Sequence, residues 1–271
     1  MNASSAIGKP KFALFDIDGT PTSELDGKVP QSAADALRRA ADNGHKLFLC
    51  SGRSLYNIEQ AYFDLGMSGA VMGCGTHVVA DGRELLHVSL TPQQTRALLM
   101  AARETGVDIL LEAAHHSAKD SRPYTHPEAL ANERMYQKRG IPIVQAADSP
   151  DFYADKLCAF AEPGPAIDRF LAVAKAWLSP IMRGNGMYEL VPTGYSKASG
   201  IDCVLQAYGA SRSDVYAFGD SENDRAMLQA IPNSVVMGNA KPESLKNIAR
   251  YIAPKASEGG LARALSDLGF L

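Results

Sequence analysis

Along the first third of the chain, short unbroken apolar runs alternate with stretches whose apolar residues recur at helical spacing. "KFALF" (11–15), "KLFLC" (46–50) and "GAVMG" (69–73) read as buried strands, and helices are predicted over 32–44 and near 54–65. In the first helix Ala33, Ala36, Leu37 and Ala40 share a face, with Ser32 as the expected N-cap and Gly44 as the stop. Strands that are apolar throughout, separated by helices, mark a parallel sheet of β-α-β units, because such strands are covered on both faces. The rhythm returns late. "KASGIDCVLQAYG" (197–209) predicts a helix, "DVYAFG" (214–219) a strand and 222–230 another helix, while "SVVMG" (234–238) and "YIAPK" (251–255) add strands.

Between Gly82 and Gly184 the pattern changes: "ELLHVSL", "GVDILLE", "DKLCAFAEP" and "SPIMRG" interleave with helices expected near 91–104 and 165–178. This reads as an α/β unit inserted into the first. The expected organisation is therefore α/β, with a doubly wound parallel-sheet core at 1–81 and 185–271 and an inserted domain at 82–184. "SAKDSRPYTHPEA" (117–129) is expected as a loop. A chain of 271 residues, 46% hydrophobic, is long enough to divide in this way.

Charge narrows the function. Lys+Arg number 27 against Asp+Glu 30, a net charge of −3, so there is no basic surplus to cover a nucleic acid. Cys50, Cys74, Cys158 and Cys203 stand apart, without a C-x-x-C pair, which points to reduced thiols rather than a disulfide frame or zinc site. No stretch approaches the roughly 20 apolar residues of a membrane span, and "MNASSAIGKP" lacks the features of a signal peptide. The expectation is a cytoplasmic protein with neither membrane nor nucleic-acid partner; oligomeric state is left open.

The chemistry collects where strands end. "KFALF" runs into Asp16, "KLFLC" into Ser51 and "VYAFG" into Asp220, and Asp18 follows Asp16 by two residues. In an open parallel sheet ligands bind beyond the carboxyl ends of the strands, at a switch in strand order. These termini can therefore meet in one cleft although Asp16 and Asp220 are about 200 residues apart. Two carboxylates about 4 Å apart repel by roughly 4 kcal/mol at an effective dielectric of 20. A cluster of Asp16, Asp18 and Asp220 thus requires a cation or protons, and an oxygen-only set suits Mg²⁺.

"FDIDGT" (15–20), "CSGRS" (50–54), "GYSKASGI" (194–201) and "FGDSENDRAML" (218–228) resemble, in order and spacing, the four motifs of the haloacid dehalogenase (HAD) superfamily of phosphatases. The insertion looks like the large α/β cap of its Cof-type sugar-phosphatase branch, and residues 235–265 resemble that branch as well. The resemblance implies a Rossmann-like HAD core, Mg²⁺ as cofactor and an aspartyl-phosphate intermediate. Asp16 would be the nucleophile and Asp18 the general acid and then base; an extended backbone puts residues i and i+2 on one side, so both can face one substrate. Asp16, Asp18 through its backbone carbonyl, and Asp220 would hold the metal, with Asp224 supporting that shell and Asn223 near it and the substrate. Ser51 and the backbone around Gly52 would hydrogen-bond the phosphoryl group at a helix N-terminus, and Lys197 would balance its charge. The expected function is Mg²⁺-dependent hydrolysis of a small, sugar-phosphate-like phosphomonoester. The alternatives are a phosphotransferase or phosphomutase of the same fold, and a non-catalytic phospholigand-binding regulator.

Other residues carry lesser expectations. Arg53 is expected in an ion pair or on substrate. His115 and His116, adjacent on an expected strand, would point to opposite faces and so not share an ion; they are assigned to cap or substrate contacts. Tyr124, Tyr136 and Phe152 are expected to pack, with pocket lining as the alternative, and Glu189 and Tyr195 to support the hinge. Pro21 and Cys74 replace an apolar residue and an asparagine common in the family, which bears on substrate range rather than reaction type.

Overall fold

The computed structural model describes residues 9–145 and 151–271. The chain opens with β1 (Phe12–Phe15), α1 (Gln31–Asp42), β2 (Lys46–Cys50), α2 (Gln60–Phe63), β3 (Gly69–Met72), β4 (His77–Ala80) and β5 (Arg83–His87). It continues through α3 (Pro92–Thr105), β6 (Asp108–Glu112), β7 (Ser117–Lys119), α4 (Pro127–Lys138), β8 (Ile143–Gln145), β9 (Lys156–Phe160), α5 (Pro165–Ala174), β10 (Leu178–Gly184) and β11 (Met187–Pro192). It closes with α6 (Lys197–Tyr208), β12 (Val215–Ser221), α7 (Arg225–Ala230), β13 (Asn233–Lys241), β14 (Tyr251–Ile252) and α8 (Gly260–Asp267).

The first sheet has the order β14-β13-β12-β1-β2-β3-β4-β5. Neighbours are parallel from β14 to β3, and β4 and β5 extend the sheet antiparallel. From β1 the chain builds outward through β2 and β3, then returns on the other side through β12, so strand order reverses between β1 and β12 and opens a crevice at their carboxyl ends. Alternation along β1 explains its unbroken apolar sequence. Phe12 and Leu14 pack with Ile201, Val204 and Leu205 of α6. Ala13 and Phe15 pack with Leu37 of α1 and Leu261 and Leu265 of α8. Each large side chain buried there contributes about 1.5–3 kcal/mol.

The second sheet has the order β10-β11-β9-β6-β7-β8. On one face Leu98, Leu99 and Phe170 of α3 and α5 pack against Ile109, Leu111 and Leu157. The other face presents Leu110, Cys158 and Phe160 to Ala129 and Tyr136 of α4.

Several expectations shift. β5, expected in the insertion, pairs with β4 in the first sheet, and β11, expected in the returning core, pairs with β9 and β10 in the second. The expected boundaries at Gly82 and Gly184 fall instead at hairpins: Asp81-Gly82 (φ 46° and 72°) and, directly after Gly184, Asn185-Gly186 (φ 49° and 72°) are two-residue turns of the kind that joins twisted strands. The helix expected at 32–44 starts at Gln31 with Pro30, not Ser32, at the N-cap. The one near 54–65 shrinks to a 3₁₀ turn at Leu55–Asn57 and the single turn α2, separated by the extended residues Ile58 and Glu59, and Asn57 donates to Glu112 of the second sheet. Residues 117–129 hold β7 and the start of α4 rather than one loop. Among the described residues no helix is long and apolar enough to cross a membrane.

Candidate active site

Three elements converge on the crevice. The Asp16 N–H donates to the Phe218 carbonyl at 3.0 Å, fixing the end of β1 to β12, which carries Asp220. Ser196 and Ser199 form a reciprocal capping box, which makes Lys197 the first residue of α6. Lys197 Nζ donates to Asp16 Oδ1 and to Asp224 Oδ1, each at 2.6 Å, and all three residues are buried. A buried cation at the positive end of a helix is unfavourable by itself, so the two carboxylates are what keep it there. Asp224 is fixed in turn by the N–H groups of Asp220 and Ser221, both donating to its Oδ2 at 3.1 Å.

Carboxylate oxygens of Asp16, Asp220 and Asp224 all lie within 4.8 Å of one another. Burial and the Asp224 charge push Asp16 up to about 7, against the pull of Lys197. Burial and the charges of Asp16 and Asp224 push Asp220 up to about 8. Although burial works against it, Asp16 and Asp224 hold Lys197 well above the usual lysine range. Three ionised carboxylates and one ammonium leave a charge of −2, which one divalent cation cancels. Asp220 Oδ2 accepts from Asn239 Nδ2 at 3.2 Å, whereas Asp220 Oδ1 is buried without a hydrogen-bond partner. An orphaned carboxylate oxygen in an oxygen-only cluster fits Mg²⁺. Gly19 permits this approach: at φ +77°, a Cβ there would stand 2.1 Å from Asp220 Oδ2.

Of the expected site residues, Asp16, Lys197, Asp220 and Asp224 come together. The Asp18 carboxylate stands outside that cluster: it is 68% exposed and pairs with Arg53 at 2.7 Å, while Arg53 also pairs with Glu59 at 3.0 Å. Ser51 is buried directly after β2, its hydroxyl accepting from the Arg53 N–H at 3.2 Å. No helix begins there; Ser51 is followed by a bend at Gly52 and Arg53 before the 3₁₀ turn, so the expected helix N-terminus is missing. Asn223 lines the cavity and accepts a hydrogen bond from Ser221 Oγ. Cys74 sits in the left-handed region (φ 57°), the conformation asparagine adopts more readily, and packs near Gly52. His115 and His116 lie between β6 and β7, off any strand and away from the cavity; His116 packs on Phe152 and Tyr153.

A cavity of about 560 Å³ opens above Asp16, Asp18 and Ser51 and is closed on its far side by the second sheet. Strand alternation puts Leu110 and Glu112, Lys156 and Cys158, and Met187 and Glu189 on the face toward it. Lys156, buried, donates to Glu112 Oε2 and, at 2.8 Å, to Glu189 Oε1. The Tyr136 hydroxyl donates to Glu112 Oε1 at 2.6 Å, and Asn57 of the core donates to the same oxygen at 2.7 Å. Arg183 Nε lies 3.0 Å from Glu189 Oε2. Burial opposes it, yet Lys156 and Arg183 bring the Glu189 carboxyl down to about 2. Glu189 thus belongs to the pocket rather than a hinge, and Tyr136 lines the pocket while Tyr124 and Phe152 pack in cores. Sequence reasoning missed Asn239, Glu112 and Lys156. The signal for Asn239 was the one that found Asp220, a polar residue where an apolar run ends; for the others it was a charge in step with strand alternation.

Residues 13–265 match the haloacid dehalogenase-like hydrolases. The chain belongs to that family. Among relatives of this HAD-type phosphatase, YkrA of Bacillus subtilis is 30% identical over 273 residues, 96% of this chain and 98% of that protein. The 5-amino-6-(5-phospho-D-ribitylamino)uracil phosphatase YitU of the same organism is 24% identical over 273 residues, 96% of this chain and 97% of that protein. The solved HAD subclass IIB sugar phosphatase BT4131 shares the fold, with a TM-score of 0.79 at 21% identity over 96% of this chain and 100% of that one. This phosphatase is therefore of the Cof type, with the second sheet in the place of the cap.

Proposed function

We propose that the chain hydrolyses phosphomonoesters of small polyhydroxylated metabolites, such as sugar or ribityl phosphates, through an aspartyl-phosphate on Asp16. The observation that carries this reading is the cluster of Asp16, Asp220, Asp224 and Lys197, −2 when every carboxylate is ionised, at the switch between β1 and β12, under a cavity of metabolite size. Mg²⁺ would be held by Asp16 and Asp220, with Asp224 behind them, and when bound it supplies the positive charge that lets one anion approach another. The Asp16 carboxylate attacks phosphorus, the P–O bond to the alcohol breaks, and Asp18 gives its proton to the departing oxygen. Asp18 then takes a proton from the water that attacks the acyl phosphate, releasing inorganic phosphate and restoring Asp16. Arg53 holds the Asp18 carboxylate over the cavity for both transfers. Ser51 and Lys197 contact and balance the phosphoryl oxygens.

The core sees only the phosphoryl group, so the choice of alcohol falls to Glu112, Lys156, Arg183 and Glu189 on the cap. Such alternating donors and acceptors match hydroxyl groups better than an apolar ring. YitU and BT4131 carry names with phosphorylated polyol and sugar substrates, in keeping with this. The test is a panel of phosphorylated metabolites assayed for phosphate release with Mg²⁺ and again with EDTA. Release confined to Mg²⁺ and strongest for sugar or polyol phosphates is expected. An isomerised or transferred phosphate without release would make the chain a mutase or transferase, and binding without turnover would make it a regulator.

A further inference from the structure

A second group of metal-ligating side chains lies away from the catalytic carboxylates, where core and cap meet. In the β4–β5 hairpin His77 and His87 pair across the strands with their rings stacked 4.3 Å apart. Glu84 of the same hairpin brings Oε2 to 3.0 Å from His77 Nε2 and 3.5 Å from His87 Nδ1. The other nitrogen of His87, Nε2, is 3.1 Å from Asp155 Oδ2, and Ser89 Oγ donates to Asp155 Oδ1 at 2.6 Å. Asp155 is buried and comes from the cap, one residue before β9; next to it, the Leu90 N–H donates to the Ala154 carbonyl at 2.7 Å.

An ionised carboxylate only accepts, so His87 carries a proton on Nε2 toward Asp155, and the tautomer that can bind a metal presents a bare Nδ1 to Glu84. Two acceptors then face each other at 3.5 Å, and the same Glu84 oxygen is the one nearest His77 Nε2. A cation among the three turns this opposition into coordination. Zn²⁺ with bonds of about 2.0–2.1 Å in a tetrahedron has ligand-to-ligand edges of roughly 3.3 Å, and the observed 3.0 and 3.5 Å bracket that value. A carboxylate behind a histidine is the usual support of a metal-bound imidazole. Glu84 and Asp155 together carry two negative charges, as many as a divalent ion neutralises. Two imidazoles select a zinc-class ion over Mg²⁺, and Glu84, 56% exposed, leaves a path for the ion to enter.

We propose that His77, Glu84 and His87 bind a divalent transition metal of the zinc class, with Asp155 orienting His87, so that the ion links the edge hairpin of the core to the start of β9 in the cap. The experiment strips the full-length protein with chelator, adds Co²⁺ in excess Mg²⁺, desalts, and then counts retained cobalt and records its visible spectrum. One retained equivalent is expected, with the bands of a four-coordinate ion and displaceable by Zn²⁺. Glu84→Gln and His87→Ala should abolish retention, Asp155→Asn should weaken it about 10- to 100-fold, and Asp16→Asn should leave it unchanged. Glu84 is at the surface, so its variant reads the site even if a histidine variant fails to fold. No cobalt retained by the wild type, or equal retention by Glu84→Gln, overturns the proposal. Loss of retention in Asp16→Asn would place the ion in the catalytic cluster instead, and phosphatase activity plays no part in any of these readings.

Discussion

Lys197 and Asp16 stand 181 residues apart in the chain and 2.6 Å apart at Nζ and Oδ1. The same ammonium reaches Asp224, so one buried cation holds the nucleophile candidate and the carboxylate behind it in fixed relation. Lys197→Met removes the one positive charge that these two carboxylates share. Turnover is expected to fall by about 10²–10³, since a preorganised charge at the transferring group is lost. The metal-free variant should also unfold more easily, by about 3–5 kcal/mol in a denaturant titration, because a buried ion pair is broken on one side only. Near-normal turnover would detach Lys197 from the reaction.

Asp16→Asn separates catalysis from stability. It removes the carboxylate proposed to attack phosphorus and, at once, one of three crowded negative charges. Phosphate release should drop to background while the melting temperature in EDTA stays level or rises. A residue with a merely structural role would show the reverse, a lower melting temperature with residual activity.

The raised carboxyls of Asp16 and Asp220 set a pH dependence whose sign is fixed. An unfolded aspartate loses its proton near 3.9, whereas the folded metal-free protein keeps these two up to about 7 and about 8. Between those limits the native state binds more protons than the unfolded one, so the free energy of unfolding falls as pH rises. Melting temperatures in EDTA should therefore decline from about pH 5 to about pH 8. Saturating Mg²⁺ should flatten the decline, because the ion favours the ionised form. An equal decline with and without Mg²⁺ would contradict the assignment of a metal to this cluster.

Much of this site is legible in the amino-acid sequence because parallel strands buried on both faces must end abruptly, and Asp16, Ser51 and Asp220 are where the apolar runs stop. The cap is less legible. Its strands are apolar on one face and carry Glu112, Lys156 and Glu189 on the other, where a cavity rather than solvent receives them, and polar residues at such positions resemble ordinary surface. Asp81-Gly82 and Asn185-Gly186 mislead for a related reason: a tight hairpin turn and a domain boundary use the same residues, and only backbone pairing tells them apart. The break after Asn57 leaves no local signal either: Ile58 and Glu59 are extended, and the Asn57 side chain bonds Glu112, a partner 55 residues away.

The proposed recognition of the alcohol by the cap would rest on those same charges. Lys156 is buried between Glu112 and Glu189, in the cavity wall across from the Asp16 cluster. Lys156→Met should raise KM for the preferred metabolite and reorder the ranking of substrates, with kcat changed far less than KM. p-Nitrophenyl phosphate, whose leaving group offers no hydroxyl array to the cap, serves as the control and should be hydrolysed within about threefold of the wild-type rate. Since removal of a buried ion costs about 3–5 kcal/mol, Arg183→Gln provides a second reading at a partly exposed position that contacts the same Glu189. A parallel loss on both substrates in both variants would mean that the cap charges support the fold and do not select the alcohol. A KM effect restricted to the metabolite would assign them to recognition, because only binding to the part of the substrate beyond the phosphoryl group distinguishes the two assays.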